Sequence, residues 1–463
     1  AWAAEVVAPT PKLHRKAKRG ALPEECWVEP FSYYRDALRM TTEAADEFHF
    51  FSLMTIIGAI FGRRIYVDYG KPLFPNQFTC LTGPTGGSRK STAMHYAFEM
   101  MAEVDDSLKH TEATGSAEGL MEAMAFADAT PEEIVGIKAM MGWSKKKKTN
   151  GNGDADGEYF DESDLEAKGQ RRLIIRQDEF TQLLAKAKSS RTNLIPHLLT
   201  AFDCPKEIRL PTRTRPLVIV NPAVSILAGT TVEFLGEHFD DMDWYSGFGN
   251  RIMFVEGTTK DRIELPDPPD DELWDKAIKY IHQAHYEIIQ ASEAQVSRGG
   301  QRDFSRLRFT MNDAAVEMWK DRYNAWQDLR LDYASDQQAA TQRTSDYALK
   351  FAMIYAALRP DNEQTIDVED IDLSWKVAMH CENSTVIIVQ GLMSEKLARW
   401  QEQITEFIGQ NQPSGRKNGI KKRDLQQALR RIPATDLNRI IQGLVELRVI
   451  QQIGRHELRL FDR

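Results

Sequence analysis

The chain has 463 residues and a net charge of −9, from 59 basic and 68 acidic residues; 42% of it is apolar and 27% charged. Those proportions are globular and exclude a disordered scaffold, a fibrous repeat and a wholly basic nucleic-acid coat protein. At roughly 100–200 residues per domain, the length predicts about two to four structural units. Four cysteines (Cys26, Cys80, Cys204, Cys381) lie far apart, without C-x-x-C spacing or paired histidines. That pattern argues against a zinc site or a disulfide framework and for a reducing compartment.

In chain order, 1–29 reads as a Pro-, Lys- and Arg-bearing tail or linker. A helical collar follows over 30–70 and ends in a strand, Arg64 to Tyr69. Its apolar run 48–61, FHFFSLMTIIGAIF, contains His49, Ser52 and Thr55 and is too short for a bilayer, which predicts a buried helix. The start carries no signal-peptide pattern. The expectation is a cytoplasmic protein with no membrane partner. The chain opens on Ala, as a processed or truncated piece would.

An α/β core is expected over 71–265. Its apolar strands are 77–82, 172–177, 223–231 and 249–256, with a β-hairpin over 206–220. Residues 113–142 read as helical, with Ser116 as a candidate N-cap. An insertion at 144–170 holds Lys145 to Lys148 and then a Gly/Asp/Glu stretch. It has no hydrophobic face and reads as a solvated, mobile segment, the lysines leaving open a DNA-touching loop. PDPPDD at 266–271 marks a boundary. A helical lid is expected over 266–408, notably Leu273–Ala294, Ala314–Leu331 and Thr344–Ala357. A small unit of helices and two short strands closes the chain over 409–463.

The segment after strand 77–82 is the most informative. Thr82-Gly-Pro-Thr-Gly-Gly-Ser-Arg-Lys-Ser-Thr92 opens a helix, which is the context of a phosphate-binding loop. Glycines let backbone N–H groups approach phosphate oxygens, and the helix N-terminus adds partial positive charge. Gly83, Thr85, Gly86, Gly87, Ser88, Arg89, Lys90, Ser91 and Thr92 are the candidate cradle for ATP. Lys90 is placed on the β- and γ-phosphates and the Ser91 hydroxyl on Mg²⁺. Gly83 stands seven residues before Lys90, one more than usual, and Arg89 replaces the customary last glycine. A ligand-free strand–helix turn is the plainer alternative. The strand 173–177 ends in Asp178-Glu179. Asp178 suits the metal and Glu179 the attacking water, and a surface carboxylate pair is the alternative. Together the two segments predict an ATPase.

Four segments carry a resemblance: FPNQFTCLTGPTGGSRKSTA (74–93), SAEGLMEAM (116–124), LIIRQDEFTQLLAKA (173–187) and GFGNRIMFVEG (247–257). Over roughly 30–400 the chain resembles the P-loop ATPases of phage, plasmid and mobile-element primase–helicase proteins. It is also similar to ring-forming AAA+ helicases of the minichromosome-maintenance type. The resemblance implies an α/β P-loop NTPase (AAA+/RecA-like) core, a homo-oligomeric ring such as a hexamer, and a primase domain or protein as partner. It further implies that Arg251 reaches a neighbour's γ-phosphate, with an intrachain ion pair to Asp240 or Asp241 as the alternative. Thr230 or Thr231, or less well Asn221, would be the polar sensor, and Arg343 or Lys350 a second, basic one.

In such a ring the hairpin residues Lys206, Arg209, Arg213 and Arg215 would line a channel for single-stranded DNA. A simply solvated hairpin is the alternative. Residues 413–463 carry twelve Lys and Arg against five acids, a basic island in an acidic chain. Its helix, turn, helix and β-wing pattern resembles a winged helix–turn–helix. Lys421, Lys422, Arg423 and Arg439 are candidates for DNA, with docking of a protein partner as the alternative. The sequence thus supports an ATP-dependent DNA helicase or translocase in replication of a mobile element. An ATP-dependent switch or loader that moves no DNA is the runner-up, and a small-molecule kinase is disfavoured.

Overall fold

In the computed structural model, the residues described are 20–84, 87–112, 117–129, 134, 137, 170–188, 194–210, 217–239, 241–258, 260–299, 306–360, 363–412, 419–453 and 457–461. Ser116, Thr85, Gly86, Lys145 to Lys148, Arg213, Arg215 and Asp240 lie outside them, as do nearly all of the insertion and the first 19 residues. The chain divides into two compact units, one ending at Ile388 and the other starting at Val389.

The first unit is a mixed α/β structure. Its early strands are β1 (Ile65–Tyr69), β2 (Lys71–Leu73), β3 (Phe78–Thr82), β4 (Lys109–Glu112) and β5 (Arg171–Gln177). They are followed by the hairpin β6 (Glu207–Leu210) and β7 (Leu217–Val220), then β8 (Pro222–Thr230) and β9 (Met253–Glu256). Five strands form a parallel sheet in the order β4-β5-β8-β3-β9. Every residue of β3 and β8 is buried, which is why both read as continuous apolar runs. The crossover from β3 to β4 runs one way across the sheet, and those from β4 through β5 and β8 to β9 run the other. With right-handed crossovers, helix Lys90–Val104 takes one face and the helices after β5 the opposite one. The connections therefore part company between β3 and β8, at their carboxyl ends, where open α/β sheets hold ligands.

Helix Asp46–Phe61 is buried along its whole length except Asp46, as its all-round apolarity predicts. It packs on helix Lys90–Val104 and on β8, β3 and β9. Gly58 lets it do so, because a Cβ there would fall 2.3 Å from the Pro75 carbonyl oxygen. A second sheet, β11-β10-β1-β2, joins the collar to the helical region through β10 (Leu307–Met311) and β11 (Thr365–Ile366). These two strands sit where a helical lid was expected. The expected strand 249–256 is shorter: Gly249–Arg251 is a 3₁₀ turn before β9.

The second unit contains the end of helix Val368–Asn411, then β12 (Ile420–Lys421), helices Lys422–Ala428 and Ala434–Glu446, β13 (Ile450–Ile453) and β14 (Glu457–Leu460). Its antiparallel sheet has the order β12-β14-β13. Ile404, Ile408, Leu425, Leu437, Ile441 and Leu458 are among the residues of its separate core. No helix among the described residues is long and apolar enough to cross a membrane.

Candidate functional site at the carboxyl ends of β3, β5 and β8

Register brings the candidate residues together. Thr82 at the end of β3 pairs with Thr230 at the end of β8. Gln177 at the end of β5 pairs with Ala228. Just beyond the paired stretch, the Asp178 carbonyl lies against Gly229 and Glu179 reaches Thr230. A Cβ on Gly229 would stand 3.3 Å from the Asp178 carbonyl oxygen and 3.5 Å from Lys90 Cβ. A side chain there would thus press on the Asp178 backbone carbonyl and do no more than touch Lys90.

Lys90 is the first residue of helix Lys90–Val104. Its ammonium donates to the Gly83 carbonyl at 2.8 Å, the Pro84 carbonyl at 3.2 Å and Ser88 Oγ at 2.9 Å. Ser88 in turn donates to the Pro84 carbonyl at 2.7 Å. All three donors of the lysine are occupied by its own loop, in positions that phosphate oxygens would compete for. Burial pulls the amine below its usual range, while the nearby Glu179 and Glu233 charges act against that shift.

Arg89, at the N-cap, has φ 50° and ψ 32°. That left-handed conformation is the one glycine adopts freely, which explains why glycine is usual here. The arginine side chain is about half exposed and lies 3.5 Å from Glu43. Glu43 also accepts the Ile263 N–H at 3.0 Å. A Cβ on Gly87 would meet none of the described residues within 4 Å; Ser91 is exposed and Thr92 half-buried.

Asp178 is largely exposed and accepts from Arg176 at 3.3 Å. Glu179 Oε1 accepts from Thr230 Oγ1 and from Thr181 Oγ1, each at 2.8 Å. Thr230, a sensor candidate, thus reaches the acid pair, and so does Thr181, which was not foreseen. Its sequence signal is only a hydroxyl two residues after the acid pair. Among the described residues no group of three or more His, Cys, Asp or Glu is arranged to hold a metal ion. A hydroxyl at Ser91 with one carboxylate at Asp178 is an all-oxygen set. It fits Mg²⁺, which commonly takes few protein ligands and completes its shell with water and phosphate.

The other sensor candidates are elsewhere. Thr231 caps helix Val232–His238, its hydroxyl accepting the Phe234 N–H at 3.2 Å. Asn221 precedes β8, at the opposite end of the sheet, and accepts from Arg306 at 2.8 Å. Nine residues of strand separate it from Thr230, ~30 Å at the usual rise. Lys350 is buried, and its ammonium donates to Asn76 Oδ1 at 2.9 Å before the start of β3. Arg343 pairs with Asp346 at 2.6 Å, and the adjacent Gln342 accepts from Asn250 at 3.1 Å, near the start of β9. Asn221, Lys350 and Arg343 thus lie towards the amino end of the sheet, away from Lys90.

Arg251 also stands at the amino end, before β9. Its guanidinium donates to the Gly247 carbonyl at 2.9 Å and to Asp203 at 3.1 Å, and lies 5.6 Å from the Phe202 ring centre. The intrachain ion pair is present, with Asp203 as the acid; Asp203 also binds Lys71 at 2.8 Å. Burial tends to raise the Asp203 carboxyl, but Lys71 and Arg251 hold it below the usual range.

Of the basic candidates, Lys206 is exposed at the foot of the hairpin, and Arg209 is exposed and paired with Glu207 at 2.7 Å. In the second unit Lys421 and Arg423 are exposed, Lys422 is half-buried, and Arg439 is exposed beside Asp436 at 3.3 Å. The chain matches no protein-family model, and no curated protein matches it significantly.

Proposed function

We propose that this chain is a cytoplasmic, Mg²⁺-dependent ATPase of the P-loop class that works as a ring-forming DNA translocase or helicase. The observation that carries the hydrolase reading is the convergence of Lys90, Asp178, Glu179 and Thr230 at the carboxyl ends of three adjacent parallel strands. Lys90 and the loop N–H groups bind the β- and γ-phosphates. When bound between Ser91 and Asp178, Mg²⁺ supplies charge neutralisation at those phosphates. Glu179 accepts a proton from water as its oxygen bonds to the γ-phosphorus. The bond from that phosphorus to the bridging oxygen breaks, and its electron pair leaves with the diphosphate.

The ring reading rests on the resemblance to ring-forming helicases, and the DNA reading on charge and on the element order of the second unit. A helix, a short strand, two helices and a two-stranded ribbon support the winged-helix reading. The exposed Lys421, Arg423 and Arg439 suit a phosphate backbone. In a ring, Arg251 would have to leave Asp203 to serve a neighbour. A guanidinium that stays on Asp203 completes no site between subunits, which favours, as second reading, a switch or loader that moves no DNA.

The test is ATP turnover with and without single-stranded DNA, alongside solution mass with and without an ATP analogue and Mg²⁺. The translocase reading expects DNA-stimulated turnover, assembly to about six copies and directional strand displacement. Turnover and assembly without displacement select the switch or loader. A chain without Mg²⁺-dependent turnover sinks the hydrolase reading.

A further inference from the structure

Two hydroxyls converge on a single oxygen of Glu179. Thr230 reaches Oε1 from the neighbouring strand β8, and Thr181 reaches it from the first turn of helix Phe180–Ala187, both at 2.8 Å. Thr181 is only 5% exposed, so its hydroxyl is largely withdrawn from water, and its recorded bond is to the carboxylate. Among the described residues no hydrogen-bond donor is recorded at Oε2.

The asymmetry has a chemical meaning. A carboxylate oxygen that accepts two hydrogen bonds has its lone pairs committed. The other oxygen stays free to take a proton, and the two bonds together stop the group from rotating to exchange the oxygens. Thr230 alone would leave that rotation hinged on one contact across two strands. Thr181 belongs to the same short segment as Glu179, so its contact travels with the acid if β5 and β8 shift.

We infer that Thr181 is a positioning residue for hydrolysis: with Thr230 it holds Oε1 of Glu179, so that Oε2 takes the proton of the attacking water. This rests on the hydrolase reading above. The step is the one already balanced there, with the proton assigned to one oxygen. A hydroxyl two residues beyond the acid pair thereby serves the acid.

The test compares Thr181→Val, which keeps the shape and removes the hydroxyl, with Thr181→Ser, which restores it. Steady-state turnover and binding of a fluorescent ATP analogue are measured for both. The expected result for valine is a fall in kcat of about tenfold to a hundredfold, as when a charge-assisted hydrogen bond is lost. KM and analogue affinity stay within about twofold of wild type, and serine recovers most of the rate. A valine variant with wild-type kcat overturns the inference. So does a loss carried mainly by KM, or one that serine does not recover. Should the valine variant not fold, Thr181→Ala is read against serine by the same criteria. Failure of the underlying reading looks different: wild type does not turn over ATP, or Lys90→Ala turns over as fast as wild type. Either of those overturns both.

Discussion

The ammonium of Lys90 lies 2.8 Å from the carbonyl oxygen of Gly83, so the lysine that opens the helix is bonded to the residue that follows β3. It is a loop closed on itself through its own cation. Lys90→Ala removes this closure together with the proposed contact to phosphate. We expect turnover to fall on the order of 10²-fold or more while far-ultraviolet circular dichroism stays that of the wild type. Turnover near the wild-type rate contradicts the assignment of the loop.

Arg251 and Asp203 offer a way to tell structure from chemistry. If Arg251 serves only its own chain, Arg251→Ala and Asp203→Asn should each lose about 1–3 kcal/mol of stability, through different second contacts, Gly247 and Lys71, and neither should lose much more activity than the other. If it acts on a neighbour's γ-phosphate, Arg251→Ala alone should lose on the order of 10³-fold in turnover and still bind ATP. Chemical denaturation and turnover of both variants decide it.

Two glycines are expected to fail differently. At Gly58 a Cβ would meet the Pro75 carbonyl at 2.3 Å, and at Gly229 it would meet the Asp178 carbonyl at 3.3 Å. Gly58→Ala should cost about 1–3 kcal/mol of stability through overpacking, seen as a lower denaturation midpoint. Gly229→Ala should cost less stability and relatively more turnover, because the displaced atoms belong to the site.

His49 predicts an acid-sensitive fold. It is fully buried beside Tyr34, neither ring nitrogen has a hydrogen-bond partner among the described residues, and burial, helped by Lys260, lowers its pKa to about 3. Between its ordinary value of 6.5 and about 3, the unfolded chain binds a proton that the folded chain does not. Stability is therefore full above pH 6.5 and falls as the pH drops, by about 1.4 kcal/mol per unit for this group. Burial also lowers His285 to about 4, and it adds to the same slope. His49→Leu should flatten the denaturation-against-pH curve in that window; an unchanged slope rejects the assignment.

The parts of the fold legible in sequence were those in which burial is continuous. β3, β5 and β8 read as apolar runs because both faces are covered. β4, Lys-His-Thr-Glu, was illegible: it is an edge strand, largely exposed, whose identity comes from its pairing with β5. β11 has two residues and exists only through β10. At the site, Lys90 and the acid pair were legible because loop chemistry and strand-end position are local. Thr181 was not, because a hydroxyl two residues beyond an acid is common and nothing in the sequence says that it turns back onto that acid. Nor was Asp203 as the partner of Arg251, since the two meet only after the sheet has formed.

The pairing of Ile65 with Leu307 orders events in time. All strands of the five-stranded sheet precede residue 257, whereas β1 must wait for β10. On a chain synthesised from its amino end, β1 leaves the ribosome long before its parallel neighbour exists. Such distant pairing is slow to form, and exposed until it does. One edge of residues 65–67 thus stays unpaired until residue 307 has been made, while β2 covers the other edge of β1 at once.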